Sequence, residues 1–379
     1  MVNVKETSVK TERNYQLDFL KLVFAIMVFA AHTVYLTPNS FSESSIFVVL
    51  GYVSVNFFFN ISGMLMINSV SKGNLENQTA NSANIGERSW TFVFHRIKGI
   101  LMQYWVALAL SLVTYIIAYR EYLSVVVKSI PEVLMVQSSV NFWSSNGPTW
   151  YLAAMFIAML PLSYLLIKNK DTYVNVIAPT LAVLLYGYLF ASEPYATSTF
   201  NGVIMYSFIR AVCGLCSGAL SWKISLWIKG SNNKPLTRGI ATIAEIICYS
   251  LVFVSMFLYS SDSGMIYSMM CLLPVCIGIT FSGASYISEI FKCRIFKCCA
   301  PLSLAIYLNH NAGKRLVMSF FPEWEFNEKL IGMIVFTIAC MIVYYLVIRV
   351  IRNIYIYISA IKHSCNLKIY SKSSFFSAV

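Results

Sequence analysis

Two imidazoles lie inside long apolar stretches of this chain. His32 closes the run Tyr15–Leu36 (YQLDFLKLVFAIMVFAAHTVYL) with no charge beside it, and His310 lies in PLSLAIYLNHNAGKR. An ionisable side chain held in lipid costs about 3 kcal/mol or more, so it marks either a functional group or a specific bond to another helix. Histidine titrates near neutrality, which makes both rings candidate general bases for removing a proton from a hydroxyl. Ser303, Tyr307 and His310 are spaced four and three apart, so a helix places them on one face. Such a stripe either lines a cavity or forms an interhelical hydrogen-bond network; spacing alone fits both.

Cations and amides complete the candidate set. His95, Arg96 and Lys98 cluster in FHRIKGILMQYW, either as ordinary anchors at a membrane edge or as an anion site for phosphates. Arg210 sits in SFIRAVCGLCSGAL, whose small residues let helices approach, so its guanidinium is expected inside a bundle, as an ion-pair partner or a substrate contact. Glu245 lies toward the opposite end of its own run and is not paired with Arg210. Asp18 precedes His32 by 14 positions, roughly 21 Å along a helix, too far to orient that ring; a backbone carbonyl or another helix must do so. In GYVSVNFFFNISGMLMINS, Asn60, Ser62 and Gly63 interrupt an aromatic run, the first two able to bond across helices. There is no GxSxG elbow and no P-loop. Of the ten cysteines, Cys293, Cys298 and Cys299 share a basic loop without a nearby histidine or carboxylate, so no metal site is expected.

The elements that must position these groups are membrane helices. The 379 residues are 58% apolar and 12% charged, with a mean hydropathy of +0.67, whereas soluble domains carry about 25% charged residues. The expected fold is all-α: a polytopic bundle of about ten transmembrane helices at 15–36, 46–68, 97–118, 150–167, 173–191, 203–222, 239–259, 265–285, 301–320 and 330–350. The first run is too long for a cleaved signal peptide and lacks a small-residue cleavage site, so it reads as a permanent span. Tyr122–Val136 is short and broken by Lys128, Pro131 and Glu132, which suggests an interfacial or re-entrant piece within the loop 119–149; Trp143 and Trp150 at its end suit headgroup depth.

With the N-terminus in the cytoplasm, 22 of the 28 basic residues fall on inner segments, from Lys5 and Lys10 to Lys372. This positive-inside pattern puts both termini in the cytoplasm. It also accounts for the net charge of +12 without nucleic acid. The chain divides into a cytoplasmic segment 1–14, a membrane domain 15–350 and a basic tail 351–379, whose interspersed aromatics suit the anionic inner leaflet. Membrane lipids are thus one expected partner, and no further domain is expected.

Several motifs, in order, resemble one family. Arg13, then LDFLK (Leu17–Lys21), then His32 resemble the opening of the integral-membrane acyltransferases known as acyltransferase type 3, which include O-antigen and exopolysaccharide O-acetyltransferases. GYVSVNFFFNISG (Gly51–Gly63) is similar to that family's second span, with Asn56 at its acidic position. Aligned on Tyr104, Arg96 stands at the first arginine of the R-x-x-R-I-x-P-x-Y element, Gly99 at the second and Met102 at the proline; Lys98 is one place off. GPTWYLAAMF, SFIRAVCGLCSGAL and SLAIYLNH resemble later elements, so the likeness runs from 13 to about 313.

The resemblance implies transfer of an acyl group, most simply acetyl, from cytosolic acyl-CoA as co-substrate to a sugar hydroxyl on a cell-surface polysaccharide or its lipid-linked precursor, at a bacterial inner membrane. No permanently bound cofactor is implied. In that reading His32 is the base. Arg13, Arg96 and Lys98 hold the donor, while Asp18, Asn60, Ser62, Trp150, Arg210, Ser303, Tyr307 and His310 line the passage. A glycan or solute transporter is the rival, since it too needs buried Arg and His; it calls for inverted repeats, and the sequence shows none. A sensor or scaffold subunit is a third reading.

Overall fold

The computed structural model describes residues 13–36, 46–72, 84–138, 144–192, 199–200, 204–231, 234–258 and 263–373. Lys5, Lys10, Trp143, most of the segment 1–14 and the tail's last residues lie outside these. Apart from a two-residue antiparallel pairing of Thr199–Phe200 with Ile204–Met205, the described secondary structure is helical. In chain order the helices are α1 (Tyr15–Ala31), α2 (Ile46–Ser71), α3 (Ile85–Tyr119), α4 (Leu123–Lys128), α5 (Ile130–Val133) and α6 (Trp150–Lys168). Then come α7 (Ala178–Ser192), α8 (Tyr206–Gly230), α9 (Pro235–Leu258), α10 (Ser263–Ser282), α11 (Ile287–Ile290), α12 (Cys299–Phe320) and α13 (Phe326–Ser373).

Nine of the described segments are long and apolar enough to cross a bilayer. The tenth expected span, 301–320, does form a helix, α12, whose 22 residues cover roughly 33 Å. Its composition fails the apolar test because it carries Asn309, His310, Asn311, Lys314 and Arg315. These polar groups are tolerable because α12 is central, against α1, α3 and α13, and Asn309, His310, Asn311 and Arg315 are buried in protein. Other expected boundaries move, two of them by more than ten residues. The span placed at 97–118 belongs to a 35-residue helix starting at Ile85, where the Asn84 side chain accepts from Gly86 N–H, so the His95–Lys98 cluster lies inside a helix. The basic tail, as far as Ser373, continues the last span as one helix, α13. Hydropathy marks where lipid ends, and a helix is free to run on past it.

Helices α2 and α8 pack backbone against backbone. A Cβ on Gly63 would fall on the backbone of Leu215, and one on Gly218 would lie 2.6 Å from the Asn60 carbonyl oxygen. Absent side chains let these backbones touch, as small residues do in membrane helices. Asn60 then bridges the contact: its Nδ2 donates to Ser217 Oγ (2.8 Å) and its Oδ1 accepts from Ser221 Oγ (2.7 Å).

Candidate active site

The site runs along α1 and α12, which lie side by side. Ser303 Oγ donates to the Lys21 carbonyl (2.9 Å), fixing the register of the two helices. Ascending from there, the helices present Tyr307, then His310 beside His32, then Lys314 beside Tyr35. His32 sits where the α-helix tightens into a 3-10 turn, His32–Leu36. Its Nδ1 lies 2.8 Å from the Val28 carbonyl oxygen. A carbonyl only accepts, so Nδ1 carries the proton of the neutral ring and Nε2 keeps its lone pair for a substrate. This is the backbone carbonyl that the distance to Asp18 required. His310 repeats the arrangement: Nδ1 is 3.1 Å from the Ile306 carbonyl, the residue is fully buried, and its Nε2 has no hydrogen-bond partner. The ring centroids are 4.7 Å apart.

Below the histidines lie two cavities. The larger, about 780 Å³, opens at the basic end of the bundle, where, among the described residues, Arg13, Lys21, Lys72, Lys229, Arg238 and Lys292 face two carboxylates, Asp18 and Glu289. Asp18 is spent on Arg13 (2.5 Å) and Lys21 (3.2 Å), and Glu289 on Lys292 (2.6 Å) and Arg238 (3.0 Å). The Lys292 hydrogen bond holds the Glu289 carboxyl below the usual carboxylate range. Lys72 and Lys229 have no carboxylate among the described residues. The smaller cavity, about 390 Å³, shares Lys21, Leu65 and Ala300 with the first and continues toward Tyr307 between α2, α3, α6 and α12. Its wall is chiefly apolar, with Ser62, Tyr151, Ser303 and Tyr307 as polar points and Arg96 at its edge. Tyr307 is the last residue before the imidazoles, its ring 6.4 Å from that of His310. His32 itself walls neither cavity.

A strap, residues 144–149, closes the other side of α12. The Tyr307 hydroxyl donates to the Pro148 carbonyl, Asn146 Nδ2 to the Leu308 carbonyl (2.9 Å), and Arg315 to the Ser145 carbonyl. Arg315 also reaches Ser111 O (2.7 Å) and Thr114 Oγ1 (3.0 Å) on α3. Beneath the strap lies Glu132, fully buried on α5 of the broken segment 122–136. Its carboxylate accepts from Ser144 Oγ (2.8 Å), Ser145 N (2.8 Å), Ser145 Oγ (2.8 Å), Asn146 N (2.9 Å) and Thr149 Oγ1 (3.1 Å).

The structure thus brings together Arg13, Asp18, Arg96, Ser62, Ser303, Tyr307, His310 and His32 along one file, and it places the others elsewhere. Arg96 donates to Leu65 O (3.1 Å) and Ser69 Oγ (3.0 Å) and stacks on Phe92. Lys98 is exposed over Phe94, away from both cavities. Asn60 is committed to the α2–α8 contact. Trp150 packs on Phe59 and opens α6. Arg210 stacks on Tyr52, 4.2 Å from the ring centroid, and walls neither cavity. Lys72, Lys229, Arg238 and Lys292 were legible as basic residues but not as one vestibule. Tyr151, Glu132, Arg315 and Lys314 had no role in the sequence reading; the Glu132 break in an apolar run was the available signal.

Among the described residues, nine apolar helices of bilayer length, packed around a helix that carries a buried histidine, define a multi-pass membrane protein. A family model described as an acyltransferase domain, acyltransferase type 3, matches residues 14–350, and the chain belongs to that family. It is a membrane acyltransferase. No curated protein and no solved structure matches it.

Proposed function

We propose that this acyltransferase moves an acyl group, acetyl in the simplest case, from cytosolic acyl-CoA to a sugar hydroxyl of a cell-surface polysaccharide or its lipid-linked precursor, at a bacterial inner membrane. The observation that carries the reading is the file itself: a cationic vestibule, an apolar chamber sharing its walls, and two imidazoles just past the chamber's end. Coenzyme A bears phosphates at one end and a thioester on a narrow arm at the other. Lys72 and Lys229, which have no carboxylate partner among the described residues, and Arg13 and Arg238 suit the phosphates. The 390 Å³ chamber suits the arm, with Ser62 and Tyr151 available to its amides. For the thioester to reach His32 the Tyr307 side chain must swing aside, because it stands between chamber and imidazoles.

His32 Nε2 then removes the hydroxyl proton as the sugar oxygen attacks the thioester carbonyl. The C–S bond breaks, the ester forms, and the imidazolium returns its proton to the departing thiolate, so CoA leaves as the free thiol. Positioned base catalysis of this kind contributes about 10²–10⁴-fold. The test is transfer of labelled acetyl from acetyl-CoA to polysaccharide in membranes, with glycan mass analysis of cells with and without the protein. His32→Ala should abolish the label while the protein still accumulates in membranes; normal acetylation in that variant defeats the assignment. A transporter would give no label with either form.

A further inference from the structure

We infer that Lys314 forms a binding site for an anionic group on the acceptor, so that the protein selects a negatively charged sugar over a neutral one; the word acceptor here rests on the acyl-transfer reading above. Lys314 lies one helical turn beyond His310 on α12, and its ammonium is 4.6 Å from the centroid of the Tyr35 ring. That ring is in turn 6.0 Å from His32 and 59% exposed. Ammonium and imidazole therefore flank the same exposed ring, at the end of the file opposite the vestibule.

What marks Lys314 is its lack of a counter-charge. Among the described residues it has no carboxylate and no hydrogen-bond acceptor, only the face of a ring. Among the described residues, none of the charged or ionisable groups in this part of the bundle supplies it with a free negative charge. Arg315 beside it is a second cation, satisfied by the oxygens of Ser111, Thr114 and Ser145. The Glu132 carboxylate is filled by five donors from the strap. His32 and His310 turn Nδ1 to backbone carbonyls. A half-buried ammonium carries three donors and an unfavourable desolvation that an arriving anion offsets. The donor's phosphates do not fill this role, because the vestibule lies beyond the chamber at the other end. A point charge without the guanidinium fork suits one carboxylate or phosphate oxygen rather than a bidentate pair. The anion can be a carboxylate on the sugar itself or a phosphate where the sugar joins its carrier.

Three probes separate the sources. Binding of methyl glucuronide, glucose 1-phosphate and methyl glucoside is measured by calorimetry on the detergent-solubilised full chain, for the wild type, Lys314→Gln and Lys314→Arg. The inference expects at least one anionic probe to bind tenfold or more tightly than the glucoside, with Lys314→Gln removing that margin and Lys314→Arg keeping most of it. The glucuronide leading places the charge on the sugar, and the phosphate leading places it at the carrier linkage. Equal binding of all three, or a margin that survives Lys314→Gln in a variant melting at the wild-type temperature, overturns the site. Transfer from labelled acetyl-CoA to the same probes reads the other question. Selective binding without transfer to any acceptor unseats the acyl-transfer reading and leaves the anion site standing.

Discussion

Glu132→Ala is the substitution whose consequences the structure specifies most fully. Five donors converge on that carboxylate, but they are not equivalent. The hydroxyls of Ser144, Ser145 and Thr149 rotate, and Thr149 already has a second acceptor in the Asn146 carbonyl at 2.7 Å. The Ser145 and Asn146 amides cannot turn, since the strap's backbone is fixed by Arg315, Tyr307 and Asn146 itself. Orphaning two buried N–H groups costs about 1–3 kcal/mol each. Loss of the buried carboxylate's own desolvation burden offsets part of this, so the net sits near the 3–5 kcal/mol expected when one partner of a buried ionic network is removed, about 3 kcal/mol at the lower end. Glu132→Gln keeps the shape but must point its NH₂ toward one of the two amides, whichever way it lies, so it orphans one and costs about half as much. Both variants loosen the strap where it meets Tyr307 and Leu308, one turn from His310. Turnover should therefore fall while the donor KM, set at the far vestibule, stays put. Thermal unfolding in detergent should rank wild type above Gln above Ala, with steady-state transfer measured beside it. An Ala variant as stable as the wild type, or a Gln variant that weakens donor binding and spares kcat, would refute the reasoning.

Further consequences follow from the same geometry. Lys72→Gln and Lys229→Gln should each raise the donor KM about fivefold, since a solvent-facing charge pair is worth about 1 kcal/mol, and the two effects should shrink together as salt rises from low to physiological strength in the transfer assay. His310→Gln should cut kcat by about 10²-fold or more with donor KM intact if the second imidazole shares in proton transfer, as read by label incorporation at saturating donor. Gly218→Leu forces side-chain atoms into the Asn60 and Gly63 backbones; overpacking costs typically about 1–3 kcal/mol and more against backbone, so membrane accumulation should collapse, as checked by immunoblot.

Much of the fold was legible in the sequence, for a physical reason: apolar runs of bilayer length have few other uses in water. His32 and the Ser303–Tyr307–His310 stripe were legible for the converse reason, since polar groups in such runs are expensive and need an explanation. The vestibule was not, because its cations come from α1, α2, α8, α9 and the segment after α11, and no local pattern records that these ends converge. Glu132 was hidden differently. It sits in two short helical turns without periodicity, and its five donors lie 12 to 17 positions further on in a strap of Ser, Asn and Thr. Lys98 shows the reverse error of proximity in sequence: beside Arg96 in the chain, it points to the outside of α3.

The helix that least resembles a membrane span is the one on which the candidate chemistry sits. α12 fails the hydropathy test that nine other segments pass, and what makes it fail is Asn309, His310, Asn311, Lys314 and Arg315. Lipid contact would exclude such a helix, so it must be sheathed by α1, α3 and α13, whose outward faces carry the exposed Ile, Val and Leu side chains. The apolar majority of the chain is in this sense the condition for its polar minority. A substitution that makes α12 more apolar, such as Asn309→Leu, would make it a better span by composition. It would also remove the donation from the Asn309 side chain to the Ala305 carbonyl (2.9 Å). A neutral or improved melting temperature joined to lost transfer would be the signature of a helix kept polar for function, whereas loss of both would mean that its polarity serves packing alone.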